Sequence, residues 1–139
     1  MSLRITAEAT LHPTEDEAKV KRALLNIFPE AKVEKISKGD EVHIMRLNGS
    51  GMNFLSTFRH LIKQDRIRDA ARRVIMARTE GERIEVYLHK QAAFAGHVSF
   101  CGPVGESPLG PITVRIDTPS PEQVVDYVAS KHGKPRDGF

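Results

Sequence analysis

The amino-acid sequence predicts an α+β fold in which helices pack on one face of a largely antiparallel sheet. Three observations carry that reading. Apolar residues alternate with polar ones over several short stretches, and over others they recur at three- and four-residue spacing. The resulting order is strand, helix, strand, strand, helix, helix, strand, strand, strand, helix, so strands repeatedly follow strands. The 139 residues suit one domain spanning 1–139, and no linker or repeat divides them.

Leu3, Ile5, Ala7, Ala9 and Leu11 alternate with Arg4, Thr6, Glu8 and Thr10, the period of a strand with one buried face. A helix follows, with Val20, Leu24, Ile27 and Phe28 as its inward stripe and Pro29 as its stop. Thr14 and Glu17 have the spacing of a capping box, and Glu15, Asp16 and Glu17 suit the positive end of the helix dipole. Residues 32–37 and 42–48 read as a hairpin, because Gly39 and Asp40 between them supply turn chemistry.

Gly49, Ser50 and Gly51 form a joint before a helix carrying Phe54, Leu55, Phe58, Leu61 and Ile62 at helical spacing. Asp65 is a candidate N-cap for the next helix, residues 66–78, whose inner face holds Ile67, Ala70, Ala71, Val74 and Ile75. Gly81 closes this pair. Ile84, Val86 and Leu88 return to strand alternation, and residues 90–96 read as a broad loop or bulge near Gly96 joining two antiparallel strands. Residues 112–117 form the last strand. Ser120, Pro121 and Gln123 then open a helix as cap, first residue and capping-box partner. The basic tail, residues 130–139, is expected to be flexible.

Composition bounds the function. Forty per cent hydrophobic and 28% charged residues fit a soluble globular chain, and no apolar run approaches the ~20 residues of a membrane helix, so the cytoplasm is the expected compartment. Cys101 is the single cysteine, which excludes an internal disulfide and a cysteine-based zinc site. The histidines at 12, 43, 60, 89, 97 and 132 contain no i, i+4 pair. His89 and His97 could face one another across a hairpin but lack a third ligand at fixed spacing, so neither metal nor cofactor is expected. Residues 49–51 lack the Gly-Lys-Ser/Thr ending of a phosphate loop, and His97 with Ser99 is not read as a triad.

The net charge is +3, yet residues 59–78 hold seven Lys or Arg against Asp65 and Asp69. That local excess of five positive charges makes a field that attracts phosphates. On a helix over 66–78, Arg66, Asp69, Arg72 and Arg73 lie opposite the apolar stripe. They form either a solvated face partly neutralised by Asp69 or a phosphate-binding one, to which the guanidinium fork is suited. Lys90 and Gln91 open a segment of small residues where a ligand could approach, and Phe94 could stack on a base or join the core.

The segments TLHPTEDEAKVKRALLNIFP, RIRDAARR, LHKQAAFAGHVSF and PLGPITVRI resemble, in order and spacing, an archaeal group of small proteins known as uncharacterised protein family 0201. The matching positions are Pro13, Thr14, Glu15, Asp16, Lys19, Asn26, Phe28, Asp69, Arg72, Lys90, Gln91, Ala92, Ala93, Gly96 and Phe100. The resemblance implies an α+β fold like that of large-subunit ribosomal protein five, RNA binding and a link to the exosome, and it implies no catalytic residue. The leading expectation is a non-catalytic module for RNA or a ribonucleoprotein, with Arg66, Arg72, Arg73, Lys90 and Gln91 as its contacts. Two others stand beside it: an assembly subunit forming a homodimer without nucleic acid, and an enzyme acting on a phosphorylated small molecule.

Overall fold

The computed structural model describes residues 3–39, 41–103 and 109–130. The remaining residues lie outside the described ones, and with them all of the expected flexible tail, 130–139, except Ser130. Strands β1 (Arg4–Leu11), β2 (Glu34–Ser37), β3 (His43–Ser50), β4 (Thr79–Glu80), β5 (Arg83–Leu88), β6 (Phe100–Cys101) and β7 (Ile112–Asp117) form one sheet. Its order is β2-β3-β1-β7-β5-β4, with β6 also paired to β5, and every pairing is antiparallel.

The register puts like residues side by side. Ala7 lies opposite both Leu47 and Val114, and Val114 opposite Val86, so one face of four adjacent strands is continuously apolar. Those four residues are at most 1% exposed. Helices α1 (Glu17–Ile27), α2 (Ser56–Gln64), α3 (Arg68–Ala77), α4 (Lys90–Phe94) and α5 (Pro121–Val128) cover that face, and their apolar stripes close one core cluster with it. In α1, for example, Val20, Ala23, Leu24 and Ile27 are buried at i, i+3, i+4 and i+7.

The opposite face carries Glu8, Arg46, Glu85, Tyr87 and Arg115, half-buried in a ladder of ion pairs. Arg115 Nε donates to Glu85 at 3.0 Å and Arg46 Nη2 to Glu8 at 3.3 Å. Hydrogen bonds from Tyr87 and Arg115 hold the Glu85 carboxyl below its ordinary range, and the same Tyr87–Glu85 bond raises the phenol.

Several local expectations are corrected. Asp16, rather than Thr14, caps α1, its carboxylate accepting from the Ala18 N–H at 2.9 Å. Glu15 precedes the helix and is used elsewhere. Asp65 ends α2 instead of opening α3, and its carboxylate accepts from the Val98 N–H at 3.0 Å. Ser120 stands at the N-cap of α5 without a side-chain cap bond, so no capping box forms there. Residues 49–51 are no simple joint: Gly49 lies in β3, and a Cβ there would sit 2.3 Å from the Phe54 ring. Omitting that atom lets Phe54 stack on Phe28, ring centres 5.4 Å apart.

Candidate nucleic-acid interface

Residues 90–96 are not a loop. Ala92 and Ala93 favour helix, and α4 runs from Lys90 to Phe94 before Gly96 ends it. Gly96 has φ 88°, its N–H donates to Ala93 O at 3.0 Å, and His97 N–H donates to Ala92 O at 2.8 Å. This paired reverse bonding is the Schellman ending, which favours glycine at the left-handed position.

The same ending closes α2, with an arginine where glycine is favoured. Arg66 has φ 59°, its N–H donates to Lys63 O at 3.1 Å, and the Ile67 N–H donates to Ile62 O at 3.1 Å. Left-handed backbone costs a residue with a Cβ about 1–2 kcal/mol. Arg66 therefore stands on the α2–α3 corner, outside the helix in which the sequence predicted it, and its side chain is exposed.

The arginines of α3 divide by face. Ala71 and Ile75 are buried in the core, while Asp69, Arg73 and Met76 face solvent. Arg68 and Arg72 turn toward α5. Arg72 Nη1 donates to Asp126 Oδ1 at 2.9 Å and to Ala129 O at 3.1 Å, and Arg68 Nη1 donates to Ser130 Oγ at 3.3 Å. From α2, Arg59 donates to Tyr127 O at 2.9 Å and its guanidinium lies 5.1 Å from the Tyr127 ring centre. Three of the seven cations of residues 59–78 thus hold α5, and a fourth, Arg78, lies 5.3 Å from the Tyr87 ring centre. Lys63, Arg66 and Arg73 are exposed and have no ion-pair partner among the described residues.

Lys90 is placed differently from the open position expected of it. It is 8% exposed, and its ammonium donates to Glu15 at 3.0 Å, Thr10 O at 2.6 Å and Leu109 O at 2.8 Å. Burial lowers its pKa, opposed by the hydrogen bond and charge of Glu15. The pair ties the start of α4 to the turn before α1. Its neighbour Gln91 is exposed.

Beyond α4, His97 Nδ1 lies 3.0 Å from Asp65 Oδ1, and Asn26 Nδ2 donates to the carbonyls of Ala93 and Phe94 at 2.9 and 3.0 Å. The segment that carries exposed Gln91, Phe94 and His97 is therefore held to α1 on one side and to the α2–α3 corner on the other. The sequence reading missed the roles of Glu15, Asp65 and Asn26. One signal was present: Pro13–Asp16 and Lys90–Ala93, two runs of consecutive positions in the resemblance, are the segments that Lys90 ties together.

No group of three His, Cys, Asp or Glu suited to a metal ion occurs among the described residues, and no described helix is long and apolar enough to cross a membrane. Residues 4–118 match a protein-family model described as RNA binding. The chain belongs to that family. Among its relatives, a UPF0201 protein of Metallosphaera sedula is 37% identical over 133 residues, covering 96% of this chain and 92% of the relative. One from Pyrococcus abyssi is 38% identical over 133 residues, covering 94% of each. A crystal structure of a UPF0201 protein from Methanococcus jannaschii superposes with a TM-score of 0.81 at 30% identity, covering 92% of this chain and 93% of that one. The family's description points to a nucleic-acid-binding role.

Proposed function

We propose that the protein binds RNA in the cytoplasm without catalysing a reaction on it, and that Lys63, Arg66 and Arg73 contact phosphates while Gln91 adds a polar contact. Arg72 and Lys90, expected from the sequence as contacts, serve in this reading to set the α3–α5 and α1–α4 junctions. The observation that carries the reading is Arg66. A guanidinium exposed at a corner where glycine would be less strained is a local cost that folding does not require, and such costs concentrate at functional positions. The RNA-binding description of the family over residues 4–118 gives the cost a purpose. Guanidinium groups contribute affinity for the backbone rather than sequence discrimination.

Binding to a structured RNA, followed by fluorescence anisotropy across a salt series, tests this. Affinity falls as salt rises, and the variant R66S/R73S loses about 1–2 units of the log–log slope. Salt-insensitive binding, or an unchanged slope in the variant, overturns it.

A second reading has one observation behind it: no described helix covers the Glu8–Arg46–Arg115 face of the sheet, so a second copy could pair there. Its lining of ion pairs is less suited to a dry interface than an apolar face would be. Light scattering distinguishes a stable dimer from a monomer.

A further inference from the structure

Between α1 and α4 lies an open cleft of about 390 Å³, lined by Asp16, Lys19, Val20, Ala23, Gln91 and Phe94 with the Lys90–Glu15 pair in its wall. That volume is within the range of small-ligand sites, ~300–1,000 Å³. We propose that this cleft receives an unpaired base of bound RNA, stacked on Phe94; the inference rests on the RNA-binding reading above and names what part of the RNA enters.

Phe94 is 40% exposed, an unusual position for a phenylalanine beside a core that encloses Phe28 and Phe58 and has Phe54 and Phe100 packed against it. Its backbone is firmly held. Asn26 bonds the Ala93 and Phe94 carbonyls, and the Gly96 ending fixes the turn that follows, so the ring is presented from a rigid support. A flat aromatic face on a fixed backbone is the platform on which unpaired bases stack.

The charges of the cleft favour a base over a phosphate. Lys90 is consumed by Glu15, and Asp16 offsets Lys19, so the lining has no net charge to hold an anion. Val20, Ala23 and Phe94 supply apolar surface instead. Gln91 and Asp16 also line the cleft, the amide offering donors and an acceptor and the carboxylate the oxygen not used in capping α1 to the polar groups of a base. Lys19 Nζ lies over the Phe94 ring, 5.9 Å from its centre; its long exposed side chain swings aside when a base takes that face, within reach of the phosphate of the same nucleotide. On one side, the segment after α4 is held to the corner that bears Arg66, because Asp65 accepts from the Val98 N–H and lies 3.0 Å from His97.

The chain has no tryptophan, so F94W carries a single fluorescent reporter at the platform. The probes are a single-stranded RNA of about ten nucleotides and the fully paired duplex of the same sequence. Emission of F94W is quenched by the single strand and not by the duplex. F94A binds the single strand about tenfold more weakly with an unchanged salt slope and an unchanged melting temperature, and F94Y restores binding. If the wild type binds RNA in a salt-dependent way while F94A binds as well and F94W gives no quenching, the cleft is not a base site and the phosphate reading stands. Equal quenching by strand and duplex also overturns the inference, and absence of any RNA binding removes both readings together.

Discussion

Lys90 and Arg73 are both cations in helices of this chain, yet they occupy opposite situations. Lys90 is enclosed at the α1–α4 junction with its three protons directed to Glu15 and two backbone carbonyls. Arg73 projects from α3 into solvent with no partner among the described residues, and its neighbour Arg72 is spent on Asp126. A basic segment is therefore not a basic surface. What counts for a polyanion is the set of cations that folding has left exposed and without a hydrogen-bond, ion-pair or ring partner, here Lys63, Arg66 and Arg73 rather than all seven of residues 59–78.

That contrast is broken most severely at Lys90. K90M leaves a Glu15 carboxylate that is 9% exposed without its cation, and the expected loss is about 3–5 kcal/mol in chemical denaturation. K90M/E15L recovers most of it, because apolar replacement of both partners removes the uncompensated charge. Recovery would show that the pair orders the junction without being indispensable to it.

Arg66 is expected to move stability the other way. R66G relieves left-handed strain and raises stability by about 1 kcal/mol while weakening RNA binding, so the two properties separate at one residue. A destabilised R66G would mean that the corner is held by the arginine side chain.

The smallest effect belongs to the sheet face, where cations are paired but half-exposed. Glu85 has its folded pKa lowered from 4.5 by Tyr87 and Arg115, so its contribution is complete above about pH 4.5 and is lost as pH falls through the folded value. E85Q is expected to cost under about 1 kcal/mol at neutral pH and to flatten the acid limb of the stability profile. An unaltered acid limb would place the acid sensitivity elsewhere.

Much of the fold was legible because period and burial coincide. The alternation of Leu3 to Leu11 became β1 with its odd residues buried, residues 112–117 became β7, and the α1 stripe fell where helical spacing put it. What failed was local chemistry with more than one use. Glu15 and Asp65 look like residues of helix starts, but each accepts from a partner 33 or more residues away, and spacing along the chain carries no record of that. Residues 90–96 looked like a loop because five helical residues are too few to display a period. Arg66 and Arg72 were aligned by counting along one helix, whereas a left-handed residue at the corner removes Arg66 from it. The side chains that reach α5 could be known only once α5 had been folded against α3.

The central claim is that exposure, not the number of arginines, makes the RNA-binding surface. The direct measurement compares two variants of equal charge, R66S/R73S and R68S/R72S, in the same salt series and the same melting experiment. The account predicts that the first loses salt-dependent RNA affinity at an unchanged melting temperature, and that the second melts earlier while its salt slope stays near that of the wild type. Equal loss of affinity in both variants would contradict it, since charge alone would then account for the binding.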